Sequence, residues 1–174
     1  MSKCPYTNFK SRILDYINIL RTPRKEYGDL PICPFVGKEI DKNKLLIEKF
    51  DPEENSLLEM IESFEQSEYD SALFAQVQDE NLQQRDTAKY QDFINKLLRE
   101  NGYEHLKCIC FNPNDKLNID GFNARSLAPY FLINIAQASV LEKAHNDLMK
   151  TKYFDKMNEK YLRYLHVKKE NNEI

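Results

Sequence analysis

The chain has 174 residues, which is enough for one domain with a substantial hydrophobic core. Its net charge is -3, with 25 basic and 28 acidic side chains mixed along the sequence. This balance argues against a nucleic-acid partner, which would require a basic surface. Only four glycines are present, and this excludes the glycine-dependent phosphate loops of nucleotide-binding proteins.

The cysteines predict a reducing environment. Cys4, Cys33, Cys108 and Cys110 include no Cys-x-x-Cys pair. The N-terminal residues lack an apolar stretch of signal-peptide length, and no apolar run is long enough to cross a membrane. We therefore predict a soluble, cytoplasmic protein with free thiols and no membrane contact.

The first third of the chain predicts a helix followed by an irregular loop. Apolar residues at helical spacing indicate a helix over residues 8–21, with Ile13, Leu14, Tyr16, Ile17 and Leu20 facing inward. Thr22 precedes a proline, which ends the helix. The loop beyond it contains Cys33-Pro34-Phe35, and these apolar residues need a packing partner.

The central part alternates between predicted strands and helices. Short apolar runs predict strands at 45–50, 72–77 and 106–111. Helices are expected from Asp51, as N-cap, to about residue 66, and over residues 87–100. In the second of these helices we expect Tyr90, Phe93, Ile94, Leu97 and Leu98 to face inward.

The C-terminal third is predicted as two helices. Ser126 is expected to cap a long apolar helix with Pro129 in its first turn, where proline is tolerated. A last helix is expected over residues 151–165, and its aromatic face could form a homodimer contact. Residues 168–174 read as a disordered tail after a single domain spanning residues 1–167.

This alternation predicts an α/β fold of two or three layers. We expect a small, partly parallel sheet of three to four strands with about five helices. Residues 36–40 could add an antiparallel strand that forms a hairpin with 45–50. In that case the alternative is a ferredoxin-like α+β sandwich.

Polar residues follow each predicted strand, in the segments 51–54, 78–81 and 112–115. Ligands of α/β sheets bind at the carboxyl ends of the strands. Arg125 and Ser126, at the predicted helix start, offer a guanidinium and free N–H groups to an anion. Asn123 could orient the arginine or the ligand. Alternatively, Ser126 only caps the helix, and Arg125 pairs with Asp120 or Asp115.

Cys33 is the one plausible nucleophile in the sequence. A cysteine beside a proline and near Lys38 or Arg24 could have a lowered pKa. The alternative is a buried side chain that packs beside Ile32 and Phe35. The histidines form no recognised ligand pattern, so we expect neither a metal nor a cofactor.

Several short motifs occur in an order found in a known family. The motifs are Cys33-Pro34-Phe35, Phe111-Asn112-Pro113, Asn123, Arg125-Ser126, Pro129 and Ala138-Ser139-Val140. Over residues 12–148 this order resembles an uncharacterised bacterial family catalogued as domain of unknown function 1415 (DUF1415), and more distantly one numbered 6875 (DUF6875). The histidine of the family's Phe-His-Pro motif is Asn112 here, which cannot titrate near neutral pH. The resemblance implies a shared fold and a site containing Cys33, Asn112, Arg125 and Ser126, but no reaction.

The sequence leaves open three functional hypotheses. The first is a domain that binds a small anionic ligand in a pocket formed by the Cys33-Pro34-Phe35 loop and the Arg125-Ser126 helix start. Asn123 and Asp120 are the further ligand-binding residues in this hypothesis. The second is an enzyme with Cys33 as nucleophile or redox thiol and Asn112 as oxyanion donor. The third is a non-catalytic protein-interaction domain.

Overall fold

The computed structural model describes residues 5–54, 56–77, 86–165 and 167. The predictions for Cys4, the segment 78–81 and the tail 168–174 lie outside these residues. The described elements are, in chain order, α1 (Pro5–Leu20), β1 (Pro23–Arg24), a 3-10 turn (Lys25–Tyr27), β2 (Leu30–Pro31), α2 (Val36–Asp41), β3 (Leu45–Phe50), α3 (Leu57–Glu65), β4 (Ser71–Gln76), α4 (Thr87–Glu100), β5 (Leu106–Phe111), a 3-10 turn (Arg125–Leu127), β6 (Phe131–Gln137), α5 (Ala138–Met149) and α6 (Glu159–Tyr164).

Four strands form one mixed sheet in the order β3-β4-β6-β5. β3 pairs in parallel with β4, whereas β6 pairs antiparallel with both β4 and β5. It follows that β3, β4 and β5 point in the same direction and that β6 runs against them between β4 and β5. The predicted α/β class with a partly parallel sheet is confirmed.

The sheet lies between two helical layers, because its strands alternate apolar side chains between two faces. On one face Phe74, Ile133 and Cys110 pack against α3 and α4. On the other face Leu73 and Leu132 pack against α1, the loop after it, α5 and the C-terminal segment. The layer that contains α1 and α5 forms one wall of an internal cavity.

Five predicted elements are found within three residues of their expected bounds. They are α1, β3, β4, α4 and β5. Two inward assignments are wrong, since Leu14 is 42% exposed and Phe93 is 57% exposed. In α4 the buried face instead includes the polar residues Gln91 and Asn95.

Residues 36–40 form α2 and not a strand. Val36 and Ile40 are four positions apart, so one helical face brings both against the core. The backbone N–H of Glu39 donates to the carbonyl of Phe35 at 3.2 Å. The hairpin is therefore absent, and the ferredoxin-like alternative that depended on it is wrong.

Helix α3 begins at Leu57 and not after Asp51. Ser56 and Glu59 form a capping box at its start, in which the side chain of each residue accepts the backbone N–H of the other. The Asp51 carboxylate instead accepts the Glu53 N–H within a turn, at 3.0 Å.

The predicted apolar helix after Ser126 is the main error. Residues Phe131–Gln137 form β6, one of the two inner strands of the sheet, and helix α5 starts only at Ala138. A strand covered on both faces is apolar without interruption, so its sequence does not differ from that of a buried helix. The last helix is also shorter than predicted, spanning only Glu159–Tyr164.

Edge strand β5 is completed by side chains instead of a further strand. The Asn95 side chain accepts the Cys108 N–H at 2.9 Å and donates to the Cys108 carbonyl at 3.0 Å, as a neighbouring strand would. Gln91 accepts the Cys110 N–H at 2.9 Å, and the Tyr164 hydroxyl donates to the Cys110 carbonyl. These contacts satisfy backbone groups that an open edge would expose.

We expect Asn95→Ala to lower the free energy of unfolding by about 2–4 kcal/mol, because it leaves a buried N–H and a buried carbonyl of Cys108 without partners. Urea denaturation followed by circular dichroism measures the change. The control is Asn101→Ala at the end of the same helix, where the side chain donates to an exposed carbonyl. Equal losses in the two variants would contradict the role of Asn95 at the sheet edge.

Candidate functional site

A cavity of about 130 Å³ lies between the sheet and the layer that contains α1 and α5. Most of its wall is aliphatic or aromatic. The polar and thiol side chains that line it are those of Tyr16, Tyr27, Cys33, Glu39, Arg125, Asn134, His145, Tyr153 and Tyr161. Cys33 and Arg125, which are 92 positions apart in the sequence, thus contact the same internal space.

Arg125 belongs to the fully buried part of the cavity lining, which we call the buried end. The residue is 2% exposed, and its Nη1 donates to the Asp115 carboxylate at 3.1 Å. The guanidinium carbon lies 3.3 Å from the ring centroid of Tyr164 and 4.9 Å from that of Tyr161. Burial alone would lower the pKa of the guanidinium, but Tyr164, Tyr161 and Asp115 outweigh it and hold the pKa above its usual value.

The loop between β5 and β6 fixes the position of this ion pair. The Asn123 side chain accepts the backbone N–H groups of Arg125 and Ser126, both at 3.1 Å, and donates to the carbonyl of Asp115. The second carboxylate oxygen of Asp115 accepts the Leu117 N–H at 2.9 Å. Asn123 therefore orients Arg125, one of the two roles that the sequence suggested for it.

Arg125 retains donor capacity beyond this pair. A guanidinium carries five N–H donors. Within the described part of the chain, the bond to Asp115 is the one hydrogen bond that the side chain makes. Arg125 also lines the cavity, so its side chain is in contact with this internal space.

Two tyrosine hydroxyls add a further donor at the buried end. The hydroxyls of Tyr27 and Tyr161 lie 3.1 Å apart, and both residues are at most 5% exposed. This pair holds two protons but shares one hydrogen bond, so one proton needs a second acceptor. Burial raises the pKa of Tyr27 far above neutrality, which keeps its proton in place.

Half-buried residues line another part of the cavity, which we call its mouth. They include Cys33, Glu39 and Asn134. The Glu39 carboxyl accepts a hydrogen bond from the Ser71 hydroxyl at 2.5 Å. Burial is the largest cause that raises the pKa of Glu39, while the Ser71 hydrogen bond acts in the opposite direction.

The Cys33 environment does not activate a thiol. Burial raises the pKa of the Cys33 thiol, and the charge of Glu39 adds to this increase, while backbone N–H groups of Val36 and Phe35 oppose it. The side chain packs against the core next to Phe35. The protonated form is therefore favoured at neutral pH, and it is a weak nucleophile.

The remaining predicted site residues lie elsewhere. Ser126 is exposed and donates to the Asn123 carbonyl at 2.8 Å, within a 3-10 turn instead of at the start of a long helix. Asp120 pairs with Lys156 at 2.8 Å on the surface. Asn112 is buried and accepts the Asn114 N–H at 2.9 Å. None of these three is among the described residues that line the cavity.

Sequence reasoning missed most of the polar lining. Tyr16, Tyr27, Tyr153 and Tyr161 lie in three separate segments of the chain, and Glu39 was placed on a strand. The aromatic side chains of the C-terminal segment, which were considered for a dimer contact, are buried within the molecule. A homodimer through this segment remains a prediction.

Neither a metal site nor a membrane-spanning helix is found among the described residues. No group of three His, Cys, Asp or Glu side chains among them is arranged to hold a metal ion. No helix in the same part of the chain has the length and apolarity needed to cross a membrane.

Comparisons with protein-family models, with curated proteins and with solved structures found no match to this chain. The resemblance to DUF1415 therefore remains a prediction, and only the geometry of the cavity supports a site.

We expect Arg125→Met to lower the free energy of unfolding by about 3–5 kcal/mol, because it leaves the Asp115 carboxylate buried without its cation. Adding Asp115→Leu should recover much of this loss. Urea denaturation of the single and double variants measures the coupling between the two residues. The control is Arg21→Met, since Arg21 and Asp41 form a pair with side chains 40% and 63% exposed. A similar loss in Arg125→Met and Arg21→Met would contradict the expectation that breaking the buried pair costs more stability than breaking the exposed one.

In a Cys4→Ser background, we expect Cys33 to react with iodoacetamide more slowly than free cysteine at pH 7.5, since its pKa is raised. The rate should still be increasing at about pH 9, above the pKa of about 8.5 of a free thiol. Mass spectrometry of the alkylated peptide distinguishes Cys33 from the buried Cys108 and Cys110. A rate that levels off below neutral pH would instead indicate an activated thiolate.

Proposed function

We propose that this protein binds a small anionic molecule, mostly apolar in character, in the cavity between the Cys-Pro-Phe loop and Arg125. The observation that carries the proposal is that Cys33 and Arg125 line one cavity with an otherwise largely apolar wall. A pocket with an apolar surface and a few convergent polar groups is the usual form of a small-molecule site.

The chemistry of the buried end favours an acceptor-bearing ligand group. Arg125 and the Tyr27–Tyr161 pair supply donors, and in a low-dielectric environment a charge-assisted bond from a guanidinium is stronger than a neutral one. Asp115 already balances the charge of Arg125, but it occupies one side of the guanidinium. A carboxylate on the cavity side would give Arg125 two anionic partners.

The volume restricts the size of the ligand. At about 130 Å³ the cavity is comparable to cavities that hold a single benzene ring. Monocarboxylic acids with one ring or a short alkyl chain fit this description. Nucleotides and peptides exceed it.

The cysteine-dependent enzyme is the weaker alternative. The raised pKa of Cys33 gives no support to a thiolate nucleophile, and Asn112 does not line the cavity. Cys33 has a simpler role here as part of the apolar wall at the mouth.

We expect hexanoate, benzoate or phenylacetate to raise the melting temperature by about 5–10 °C at a hundredfold excess over its Kd, because binding stabilises the folded state. The corresponding amides should have a smaller effect, since they lack the charge that Arg125 recognises. Differential scanning fluorimetry measures both series.

Two variants test where the ligand binds. Ala136→Leu places extra carbon atoms in the cavity and should abolish the shift, whereas Ala128→Leu, at an equally buried position outside the cavity lining, should preserve it. If no carboxylate stabilises the protein, or if Ala136→Leu leaves the shift unchanged, the proposal is wrong.

A further inference from the structure

The two ends of the cavity carry opposite kinds of hydrogen-bonding group. Donors cluster at the buried end, in Arg125 and in the Tyr27–Tyr161 pair. At the mouth, the Glu39 carboxyl and the Asn134 side-chain oxygen are acceptors. A ligand that only carries a carboxylate would satisfy one end and leave the other unused.

The acceptors at the mouth have capacity for a ligand. Within the described part of the chain, Ser71 is the one donor bonded to the Glu39 carboxyl, and it occupies Oε2. The Asn134 amide nitrogen donates to the Ala72 carbonyl at 3.2 Å, which fixes the orientation of the amide. Among the described residues, no donor is bonded to the Asn134 oxygen. The mouth thus has two acceptors that a cationic donor group could use.

The sheet register gives the separation of the two ends. Ser71, which binds Glu39, pairs with Ala136 on β6. Tyr164, which stacks on Arg125, donates to Cys110, and Cys110 pairs with Ile133. Ala136 and Ile133 are three residues apart on β6, which corresponds to about 10 Å along the strand. Glu39 and the Tyr164–Arg125 stack are therefore too far apart for one functional group to reach both, whereas Asn134, one residue from Ile133 on β6, lies between them.

We propose that the ligand is an amino-carboxylate in which an apolar chain separates the two charged groups. Its carboxylate is bound by Arg125, and its ammonium group is bound at the mouth by Glu39 and Asn134. An ammonium has three donors and so matches two acceptors directly. This inference depends on the anion-binding function proposed above and assigns a substrate class to the same site.

Three probes of similar carbon skeleton test the inference. 6-Aminohexanoate has its charges at opposite ends, norleucine has both at one end, and hexanoate has the carboxylate alone. Isothermal titration calorimetry should show that 6-aminohexanoate binds about tenfold more tightly than hexanoate, the gain expected for one well-placed ionic hydrogen bond. Norleucine should bind more weakly than either, since its ammonium would be in the donor-rich buried end.

Matched variants assign the gain to Glu39. Glu39→Gln should remove the preference for 6-aminohexanoate over hexanoate, so that the ratio of the two dissociation constants falls from about ten to about one. The control Glu48→Gln alters an exposed glutamate on β3 that is not among the lining residues, and should keep the preference. The wild-type comparison decides the question even if Glu39→Gln does not fold.

The outcomes separate this inference from the function on which it depends. If hexanoate binds and the terminal amine adds nothing, or if norleucine binds most tightly, the amino-carboxylate assignment is wrong and anion binding stands. If none of the three probes binds, both proposals are wrong.

Discussion

The buried pair of Arg125 and Asp115 is the contact on which the rest of the cavity layer depends. It joins the loop after β5 to the turn before β6, and the rings of Tyr161 and Tyr164 bring α6 onto the same guanidinium. A buried ion pair is not in itself a large source of stability, because both charges lose their hydration. Its effect here is to fix the relative position of segments that share no strand pairing. The same contact holds donors at the inner end of an otherwise apolar space.

Strand β6 explains how such a cavity can exist in a small sheet. A chain of parallel strands joined by helices would cover both faces evenly, but β6 enters between β4 and β5 in the opposite direction. On one face it carries the large residues Phe131, Ile133 and Ile135, which fill the core against α3 and α4. On the other face it carries Leu132, Asn134 and Ala136, of which the last two are polar or small. The strand therefore packs tightly on one side and leaves room on the other.

The sequence was most informative where local signals agreed. The apolar runs of β3 and β5 and the periodicity of α4 each predicted an element at nearly its observed bounds. It was misleading where local patterns are ambiguous, as at Phe131–Gln137, because a strand buried on both faces lacks the alternation that identifies strands. Cys33 and Arg125 could be selected from the sequence and were predicted to share a pocket. That prediction depended on the order of their motifs, since nothing local relates positions so far apart. The tyrosines and Glu39 were missed for the same reason.

The positions of the charged side chains follow from which groups neutralise or solvate each of them. Arg125 and Asp115 are deep in the molecule and neutralise each other, so their burial does not require a solvent path. Glu39 has no cation within its hydrogen-bonding distance among the described residues and keeps its carboxyl at the half-exposed mouth, where a serine hydroxyl and water can share it. A charge that lies at the boundary with solvent can exchange water for a ligand at lower desolvation cost than one in the interior. The cavity therefore combines one charge that is neutralised inside the protein, at Arg125, with one that is left to solvent, at Glu39.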